Sequence, residues 1–220
     1  MITKTAYDNW SETYDRDRNL TRDLDYAVTQ AAFANLRFSS VLEIGCGTGK
    51  NTALLASIAA KVHALDFSDG MLAQAKNKVS SDNVTFTVAD LTRAWPCAAR
   101  SADLIACNLV LEHIGDLSFV FAEAARVLVA DGHFFVCELH PFRQYQGAQA
   151  RFEHDQTTTE IQAFVHHLSD FIHAAEASGL VLERFQEWWH EEDQGKPPRL
   201  ASFMFRKLME TAMTTEGHPV

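Results

Sequence analysis

The sequence has few cysteines, no long apolar run and no excess of positive charge. Each of these absences argues against a class of protein. The four cysteines form no C-x-x-C pair and have no regular spacing, which favours free thiols in a reducing, cytoplasmic protein over a disulfide scaffold. No apolar stretch approaches the roughly 20 residues of a membrane helix. The polar, acidic N-terminus also lacks the features of a signal peptide, so we expect no membrane partner.

The charge of the chain argues against a nucleic-acid partner. Its 220 residues include 19 Lys and Arg against 29 Asp and Glu, which gives a formal net charge of −10. An acidic chain repels phosphate backbones, so we expect neither DNA nor RNA as the main partner. The hydrophobic fraction of 47% and the charged fraction of 22% are those of a globular protein that can bury a core.

Strand-like and helix-like stretches alternate through the middle of the chain. Strands are predicted over 41–45, 61–66, 84–89, 102–107 and 133–139, and helices over 50–60 and 69–79 and after Asp116. Two later apolar runs, 180–188 and 200–205, follow a helix that Ser169 caps and Gly179 ends; they should pair antiparallel, since no helix separates them. The expected fold class is α/β, with a doubly wound, Rossmann-like sheet of seven strands that is mostly parallel and ends in an antiparallel hairpin.

A glycine-rich loop, Gly45-Cys46-Gly47-Thr48-Gly49, follows the first predicted strand. Glycines permit positive φ and close backbone approach, and doubly wound sheets bind ligands at the carboxyl ends of their strands. The dinucleotide pattern G-x-G-x-x-G requires glycine at position 50, where this chain has Lys50, and the P-loop pattern also fails. The loop therefore does not fit a pyrophosphate or triphosphate, which argues against a nicotinamide oxidoreductase.

Carboxylates end the next two predicted strands. Asp66 lies about 20 residues past the glycines, where it can accept hydrogen bonds from two ribose hydroxyls. Asp90 can accept a hydrogen bond from the exocyclic amine of an adenine that Leu91 and Phe67 enclose. Alternatively, either carboxylate only caps the element that follows it.

These segments, in this order, resemble the class I S-adenosylmethionine-dependent methyltransferases of the small-molecule, type 11 kind. The stretch VLEIGCGTG is similar to the family's motif I, VHALDFSDGML to motif II, VTFTVADL to the adenine-binding motif and DLIACNLVLEHI to motif IV. The resemblance covers about residues 38–139. The N-terminal pattern YDNW…YD also resembles the family's lead-in, in which aromatic residues often close over the methionine end of the cofactor.

The resemblance implies S-adenosyl-L-methionine as the cofactor and a small molecule as the methyl acceptor. It implies that the cofactor contacts Tyr14, Glu43, Gly45, Cys46, Gly47, Gly49, Asp66, Phe67, Met71, Asp90, Leu91, Asn108, Leu109 and His113. Glu43 would help to hold the methionine end, with a structural salt bridge as an equal alternative. His113 would pack over the adenine side, or else serve as a core histidine.

We predict one domain made of four segments. Residues 1–37 form an N-terminal cap, 38–139 the cofactor-binding core, 140–168 a substrate insertion or lid, and 169–207 the C-terminal helix and hairpin. The insertion has no clear period at 140–160, where the chain is rich in Gln, Thr and His. The cap and the insertion are the segments expected to choose the acceptor.

Methyl transfer to a hydroxyl or amine needs a base, which is usually a histidine with a pKa near neutral. Seven of the ten histidines follow residue 139. His140 follows the fifth predicted strand, and His166 and His167 precede the last predicted helix, so these three are the candidate catalytic bases. We expect no metal among them, because adjacent histidines point to different faces.

The nature of the acceptor stays open at this level. Arg143 and Tyr145 favour an anionic or aromatic acceptor, or else belong to a solvated loop. We expect O- or N-methylation. The alternatives are C-methylation of an enolisable acceptor, free or carrier-bound, and a partner protein that binds S-adenosylmethionine without turnover.

Overall fold

The structure, a computed structural model, describes residues 2–16, 18–148, 151–154 and 157–209. Its helices are α1 (Ile2–Trp10), α2 (Leu20–Ala32), α3 (Thr52–Ile58), α4 (Asp69–Lys78), α5 (Leu117–Val127), α6 (Pro141–Tyr145) and α7 (Leu168–Ala177). Its strands are β1 (Phe38–Ile44), β2 (Ala59–Asp66), β3 (Val84–Val88), β4 (Ala102–Asn108), β5 (Leu128–Leu139), β6 (Arg151–His154), β7 (Thr157–Glu160), β8 (Leu180–Trp188) and β9 (Leu200–Lys207). Short 3₁₀ turns cover Leu111–His113 and Glu191–Asp193.

Seven strands form the main sheet in the order β3-β2-β1-β4-β5-β9-β8. The first five are parallel, whereas β9 runs antiparallel to both β5 and β8. The order reverses at β1, which lies between β2 and β4, and a crevice opens at the carboxyl ends of strands at such a switch point. The predicted α/β, doubly wound sheet with a C-terminal antiparallel hairpin is confirmed.

Apolar side chains cover the sheet on both faces. One cluster packs α5 and α7 onto the sheet and includes the buried rings of Phe121, Phe171 and Phe203. A second cluster lies under α2 and α3 and includes Val28 and Leu55. Burial of side chains of this size contributes about 1.5–3 kcal/mol each, so the strand ends are held on a rigid platform.

Several predicted boundaries are wrong. The helix predicted over 50–60 covers only Thr52–Ile58, and β2 begins at Ala59 instead of at residue 61. The N-cap of the last helix, α7, is His167, two residues before the expected cap at Ser169, and the backbone N–H of His167 donates to Asp170 Oδ2 at 2.8 Å. The fifth strand begins at Leu128 instead of after the turn predicted at 131–132. Asp131 has a positive φ of 59°, and the pairing of β5 with β4 shifts in register next to it. The Asp-Gly sequence therefore marks an irregularity inside β5 and not a turn before it.

The predicted insertion has regular structure of its own. It contains α6 and a separate antiparallel pair, β6 and β7. Pro141 suits the first turn of α6 because it has no N–H to leave unpaired. Within the described ranges, none of the helices combines the length and hydrophobicity that a bilayer span requires.

Candidate active site

A cavity of about 470 Å³ lies at the carboxyl ends of the parallel strands, and we call it the cofactor cavity. Its lining brings together every residue predicted for cofactor contact except Gly49. Those residues are Tyr14, Glu43, Gly45, Cys46, Gly47, Asp66, Phe67, Met71, Asp90, Leu91, Asn108, Leu109 and His113. They come from four strand ends and the N-terminal segment, which the sheet order places along one rim.

Two glycines of the loop have different physical roles. Gly45 has a φ of +72°, and a Cβ at this position would lie 2.1 Å from Val110 Cγ2. Gly49 has a φ of +81°, and its Cβ would lie 3.0 Å from Val79 Cγ2 and 3.2 Å from the Cβ of Ala75 in α4. Gly49 therefore allows the loop to pack on α4 and does not itself line the cavity.

The Asp66 carboxylate is buried, and backbone donors orient it. Oδ2 accepts the Gly47 N–H at 2.8 Å, and Oδ1 accepts the Ser68 N–H at 2.8 Å. The cap of α4 is the Ser68 hydroxyl, which accepts the Met71 N–H, so helix capping does not account for Asp66. Burial raises the pKa of Asp66 to about 6. An ionised carboxylate offers about four acceptor sites, and roughly two remain here for a ligand's hydroxyls.

Asp90 caps a turn and also lines the cavity. Its Oδ1 accepts both the N–H and the hydroxyl of Thr92, at 2.9 and 2.6 Å. Its Oδ2 lies 3.5 Å from Arg93 Nε on the exposed side. The turn-capping interpretation is therefore present in the structure, and Oδ2 still has capacity to accept a further donor.

Glu43 is buried at the inner end of the cavity. Its Oε2 accepts the Thr52 hydroxyl at 2.5 Å. The structure shows no ion pair to Glu43 in the part of the chain that it describes, so the alternative of a structural salt bridge is wrong. Burial, and to a smaller extent the charges of Asp66 and Asp25, raise the pKa of Glu43 to about 8.

Asp25 of α2 is a cavity residue that the sequence analysis missed. Its two carboxylate oxygens accept the side-chain amides of Asn51 and Asn108, at 2.9 and 2.7 Å. The available signal was its position three and four residues before the buried Val28 and Thr29, on the inward face of the helix. With Glu43 and Asp66 it makes the inner end of the cavity acidic, which suits a cationic group of a ligand.

Helix α1 closes over the cavity and connects to its rim. The Asp8 carboxylate accepts the Ser68 hydroxyl at 2.6 Å and the Gly70 N–H at 3.1 Å. The Tyr7 hydroxyl lies 2.7 Å from His113 Nε2. Because Nδ1 of His113 faces a carbonyl, at 3.0 Å, Nδ1 carries the proton and Nε2 accepts from Tyr7.

A second cavity, of about 440 Å³, adjoins the first, and we call it the acceptor cavity after the role proposed for it below. Tyr7, Tyr14, Arg22 and Leu109 line both cavities. Leu109 has a φ of 57°, a strained conformation for a side chain of this size. Such strain tends to be found where the surrounding structure fixes a functional geometry.

The structure does not bring His140 into either cavity. Its side chain is buried and caps α6, with Nδ1 accepting the Phe142 N–H at 3.1 Å. Its Nε2 lies 2.9 Å from Glu187 Oε1, so both ring nitrogens are engaged. Burial lowers the pKa of His140, which leaves the imidazole neutral and fixed in place.

The other two histidines predicted as bases also lie outside both cavities. His166 is buried, with Nε2 at 2.8 Å from the Ile114 carbonyl and 3.2 Å from that of Leu111. His167 contacts the Tyr145 hydroxyl at the surface. The assignment of a base to His140, His166 or His167 therefore has no support in the geometry.

A relative among the curated proteins decides the family. The uncharacterized methyltransferase AN0656 of Emericella nidulans is 31% identical in an alignment that covers 82% of this chain and 76% of the relative. A family model described as a methyltransferase domain matches residues 42–136. The chain belongs to the S-adenosylmethionine-dependent methyltransferases. This confirms the resemblance drawn from the motifs, and S-adenosylmethionine is the methyl donor.

Two further comparisons agree on the methyltransferase fold. The demethylmenaquinone methyltransferase of Clavibacter sepedonicus is 31% identical over 137 residues, which cover 60% of this chain and 56% of that protein. The crystal structure of an S-adenosylmethionine-dependent methyltransferase from Mesorhizobium loti superimposes with a TM-score of 0.71 at 18% identity, and covers 86% of this chain and 100% of that chain. The chain spans little more than half the length of the demethylmenaquinone methyltransferase, so that enzyme's name does not identify the acceptor of this protein.

Proposed function

We propose that this methyltransferase transfers the methyl group of S-adenosylmethionine to an oxygen or nitrogen of a small molecule bound in the acceptor cavity. The observation that carries the proposal is the junction of the two cavities at Tyr7, Tyr14, Arg22 and Leu109. In-line displacement requires the attacking atom about 3 Å from the methyl group, on the side away from the sulfur. A second cavity that opens onto the first supplies that position, whereas a protein that only binds the cofactor does not need one.

Residues of the cofactor cavity fit each part of the donor. Asp66 accepts hydrogen bonds from the ribose hydroxyls through its remaining acceptor sites. Phe67 and Leu91 enclose the adenine, and Asp90 lies at the same rim. Glu43 faces the cationic methionine end in an enclosed setting, where charge interactions are strong.

Tyr7 offers the acceptor's proton a route out of the junction. Its O–H donates to His113 Nε2 at 2.7 Å, and His113 Nδ1–H donates to the Gln162 carbonyl at 3.0 Å. As the methyl group moves, Tyr7 takes the acceptor's proton and passes its own to His113, which becomes an imidazolium 3.7 Å from Glu112. No tyrosinate forms, which matters because burial holds the pKa of Tyr7 well above its usual value. The histidine base is then His113.

Replacement of Asp66 tests the donor site. In Asp66→Asn, the affinity for S-adenosylhomocysteine measured by isothermal titration calorimetry should fall at least roughly tenfold, because hydrogen bonds to a charged acceptor are worth about 1.5–3 kcal/mol each. The matched control is Asp103→Asn. Asp103 also accepts hydrogen bonds from two backbone N–H groups, at 2.7 and 2.9 Å. It lies near the start of β4, at the end of the strand away from the cofactor cavity. Equal affinities in the two variants would remove Asp66 from the site.

Transfer itself is tested with methyl-labelled S-adenosylmethionine and a metabolite extract separated by size. Label should enter the small-molecule fraction with the wild-type enzyme. It should fall strongly in Tyr7→Phe, even at a concentration of S-adenosylmethionine that saturates the variant. Label recovered only in macromolecules would contradict a small-molecule acceptor, and undiminished transfer by Tyr7→Phe would exclude the proton route.

A further inference from the structure

The acceptor cavity is lined by more positive than negative side chains. Four arginines reach it, from the N-terminal segment, α2, α6 and the loop before β9, and one carboxylate opposes them. These residues are Arg18, Arg22, Arg143, Arg199 and Glu112. The concentration of guanidinium groups in one cavity of an acidic chain requires a physical explanation, because isolated cations in a partly buried site are costly.

Two of these arginines share one carboxylate beneath the cavity. Asp193 is fully buried, and it receives a two-point contact from Arg199, at 2.7 Å through Nε and 2.6 Å through Nη2. Arg143 Nη2 lies 2.8 Å from the same Asp193 Oδ1, in a geometry that leaves its N–H without an aligned acceptor. Two guanidinium charges thus face a single negative charge.

The donors of Arg143 are incompletely used. Its Nε reaches the Pro198 carbonyl only at 3.4 Å, and its Nη1 has no hydrogen-bond partner among the residues that the structure describes. Its side chain is nevertheless 13% exposed and lines the cavity. An under-bonded guanidinium on a cavity wall can donate charge-assisted hydrogen bonds to an anion such as a carboxylate.

The other charged groups of the cavity do not neutralise the extra positive charge at Asp193. Arg18 pairs at the surface with Glu192, outside the Asp193 cluster. Arg22 lies over the Tyr14 ring, 4.1 Å from its centroid, and donates to the Tyr14 carbonyl. Glu112 accepts the Gln144 amide at 3.2 Å and lies 3.7 Å from His113 Nε2, so its contacts are outside the Asp193 cluster.

We propose that Arg143, supported by the Asp193–Arg199 pair, binds a carboxylate of the methyl acceptor. The proposal rests on the acceptor cavity assigned above, and it deepens that function by naming the acceptor as a small carboxylic acid. The carboxylate anchors the molecule at the arginines, and the atom that receives the methyl group faces the junction with the cofactor cavity.

Aromatic side chains of the same cavity suit the body of the acceptor. Tyr7, Trp10 and Tyr14 line the acceptor cavity from the N-terminal segment. Their rings contact one another, with the Tyr7 and Trp10 rings stacked at 5.9 Å and those of Trp10 and Tyr14 edge-on at 4.7 Å. Such a wall packs well against an aromatic or unsaturated ring, so the acceptor combines an apolar ring with a carboxylate.

The probes for this proposal are 4-fluorobenzoate and its neutral counterpart, 4-fluorobenzamide. Binding to the full chain saturated with S-adenosylhomocysteine is followed by ¹⁹F NMR line broadening, and the saturated cofactor cavity is closed to the probe. The acid should bind at least roughly tenfold more tightly than the amide, because it forms charge-assisted hydrogen bonds. Equal binding of the two probes, or no binding of either, overturns the proposal, since both molecules are smaller than the cavity.

Variants locate the preference at Arg143. In Arg143→Gln the acid should lose most of its advantage while the amide binds as before, and Arg143→Lys, which keeps the charge without the planar fork, should recover part of it. Asp193 keeps Arg199 in both variants, and thermal melting checks that they fold. Arg37→Gln is the matched control, since Arg37 is exposed, lines neither cavity and donates to the carbonyl of Leu36. A full acid preference in Arg143→Gln contradicts the assignment.

The two proposals fail in distinguishable ways. If S-adenosylhomocysteine does not bind the wild-type chain in the calorimeter, the donor assignment fails, and the probes still report on the arginines in the ligand-free protein. If S-adenosylhomocysteine binds and the probes show no preference for the acid, only the carboxylate assignment fails.

Discussion

At the level of single residues, the proposed donor site makes cofactor binding depend on the protonation of buried carboxylates. Glu43 has a pKa of about 8 in the cavity without ligand, because burial penalises its charged form. This raised pKa also means that the stability of the free protein falls as pH rises from the ordinary value of 4.5 through 8. A cationic ligand favours the ionised form and lowers that pKa.

Binding of S-adenosylmethionine at pH 7 should therefore release protons, and its affinity should rise with pH toward 8. Calorimetry in two buffers of different ionisation enthalpy measures the number of protons released. Glu43→Gln should reduce that number. Glu138→Gln is the control, because Glu138 also has a pKa raised to about 8 but lines neither cavity, and its Oε1 accepts the N–H groups of Val110 and Leu111. The same release in Glu43→Gln as in wild type would show that Glu43 does not face the cation.

Residue chemistry was predictable where it followed a strong pattern. The places of Asp66 and Gly45 in the cavity were predictable because both residues lie at the ends of predicted strands, and ligands bind at that edge of a doubly wound sheet. Asp25 did not, because a carboxylate on the inward face of a helix gives no local signal of the cavity it faces. His140, His166 and His167 show the opposite problem, since their partners come from other segments and occupy their ring nitrogens.

At the level of elements, α1 covers the cofactor cavity, and polar contacts to the start of α4 hold it there. Asp8 bonds to Ser68 and to Gly70 at the N-terminus of α4, and Lys4 Nζ lies 2.8 Å from Asp69. A carboxylate at a helix N-terminus is also favoured by the helix dipole. The cover is therefore held at the same turn that Asp66 orients.

Asp8→Ala should loosen this cover without unfolding the sheet. The loss of two hydrogen bonds of about 1 kcal/mol each should speed dissociation of S-adenosylhomocysteine roughly tenfold or more, and amide exchange in α1 should become faster. Stopped-flow displacement and hydrogen exchange measure the two effects. Asp116→Ala removes a comparable cap on α5, where Asp116 accepts the Ser118 N–H at 2.9 Å, and should leave dissociation unchanged. Normal dissociation in Asp8→Ala would separate α1 from cofactor retention.

At the level of the whole molecule, Asp193 joins segments that are far apart in the chain. It pairs with Arg199 before β9 and with Arg143 in α6, and Arg199 reaches Thr21 of α2 at 3.1 Å. The hydrogen bonds from Arg199 hold the pKa of Asp193 well below its usual 3.8. Its stabilising effect is therefore present above about pH 4 and is lost as pH falls below that value.

Asp193→Asn should lower the free energy of unfolding by roughly 3 kcal/mol at pH 7, because two guanidinium groups lose their shared buried anion. Urea unfolding measures the change, and the difference from wild type should narrow as the pH drops below 4. Asp131→Asn removes a half-exposed partner of Arg206 and should cost only about 0.5 kcal/mol. Similar losses in both variants would show that the Asp193 cluster is no more than a surface pair.

The sequence by itself determined the alternating strands and helices, the glycine loop and the carboxylates at the strand ends, because these depend on short-range periodicity and on one well-defined edge of the sheet. It thereby determined the cofactor. Only the tertiary structure decided what surrounds the methyl group. The acceptor cavity is assembled from residues within 7–14, 18–22 and 109–112, the segment after β5 and the loop before β9, and no local pattern records that such distant segments meet. Burial and hydrogen-bond partners depend on that meeting, so only the structure removed His140, His166 and His167 as candidate bases, supports the proposal of His113 instead, and brings Arg143 and Arg199 onto one carboxylate.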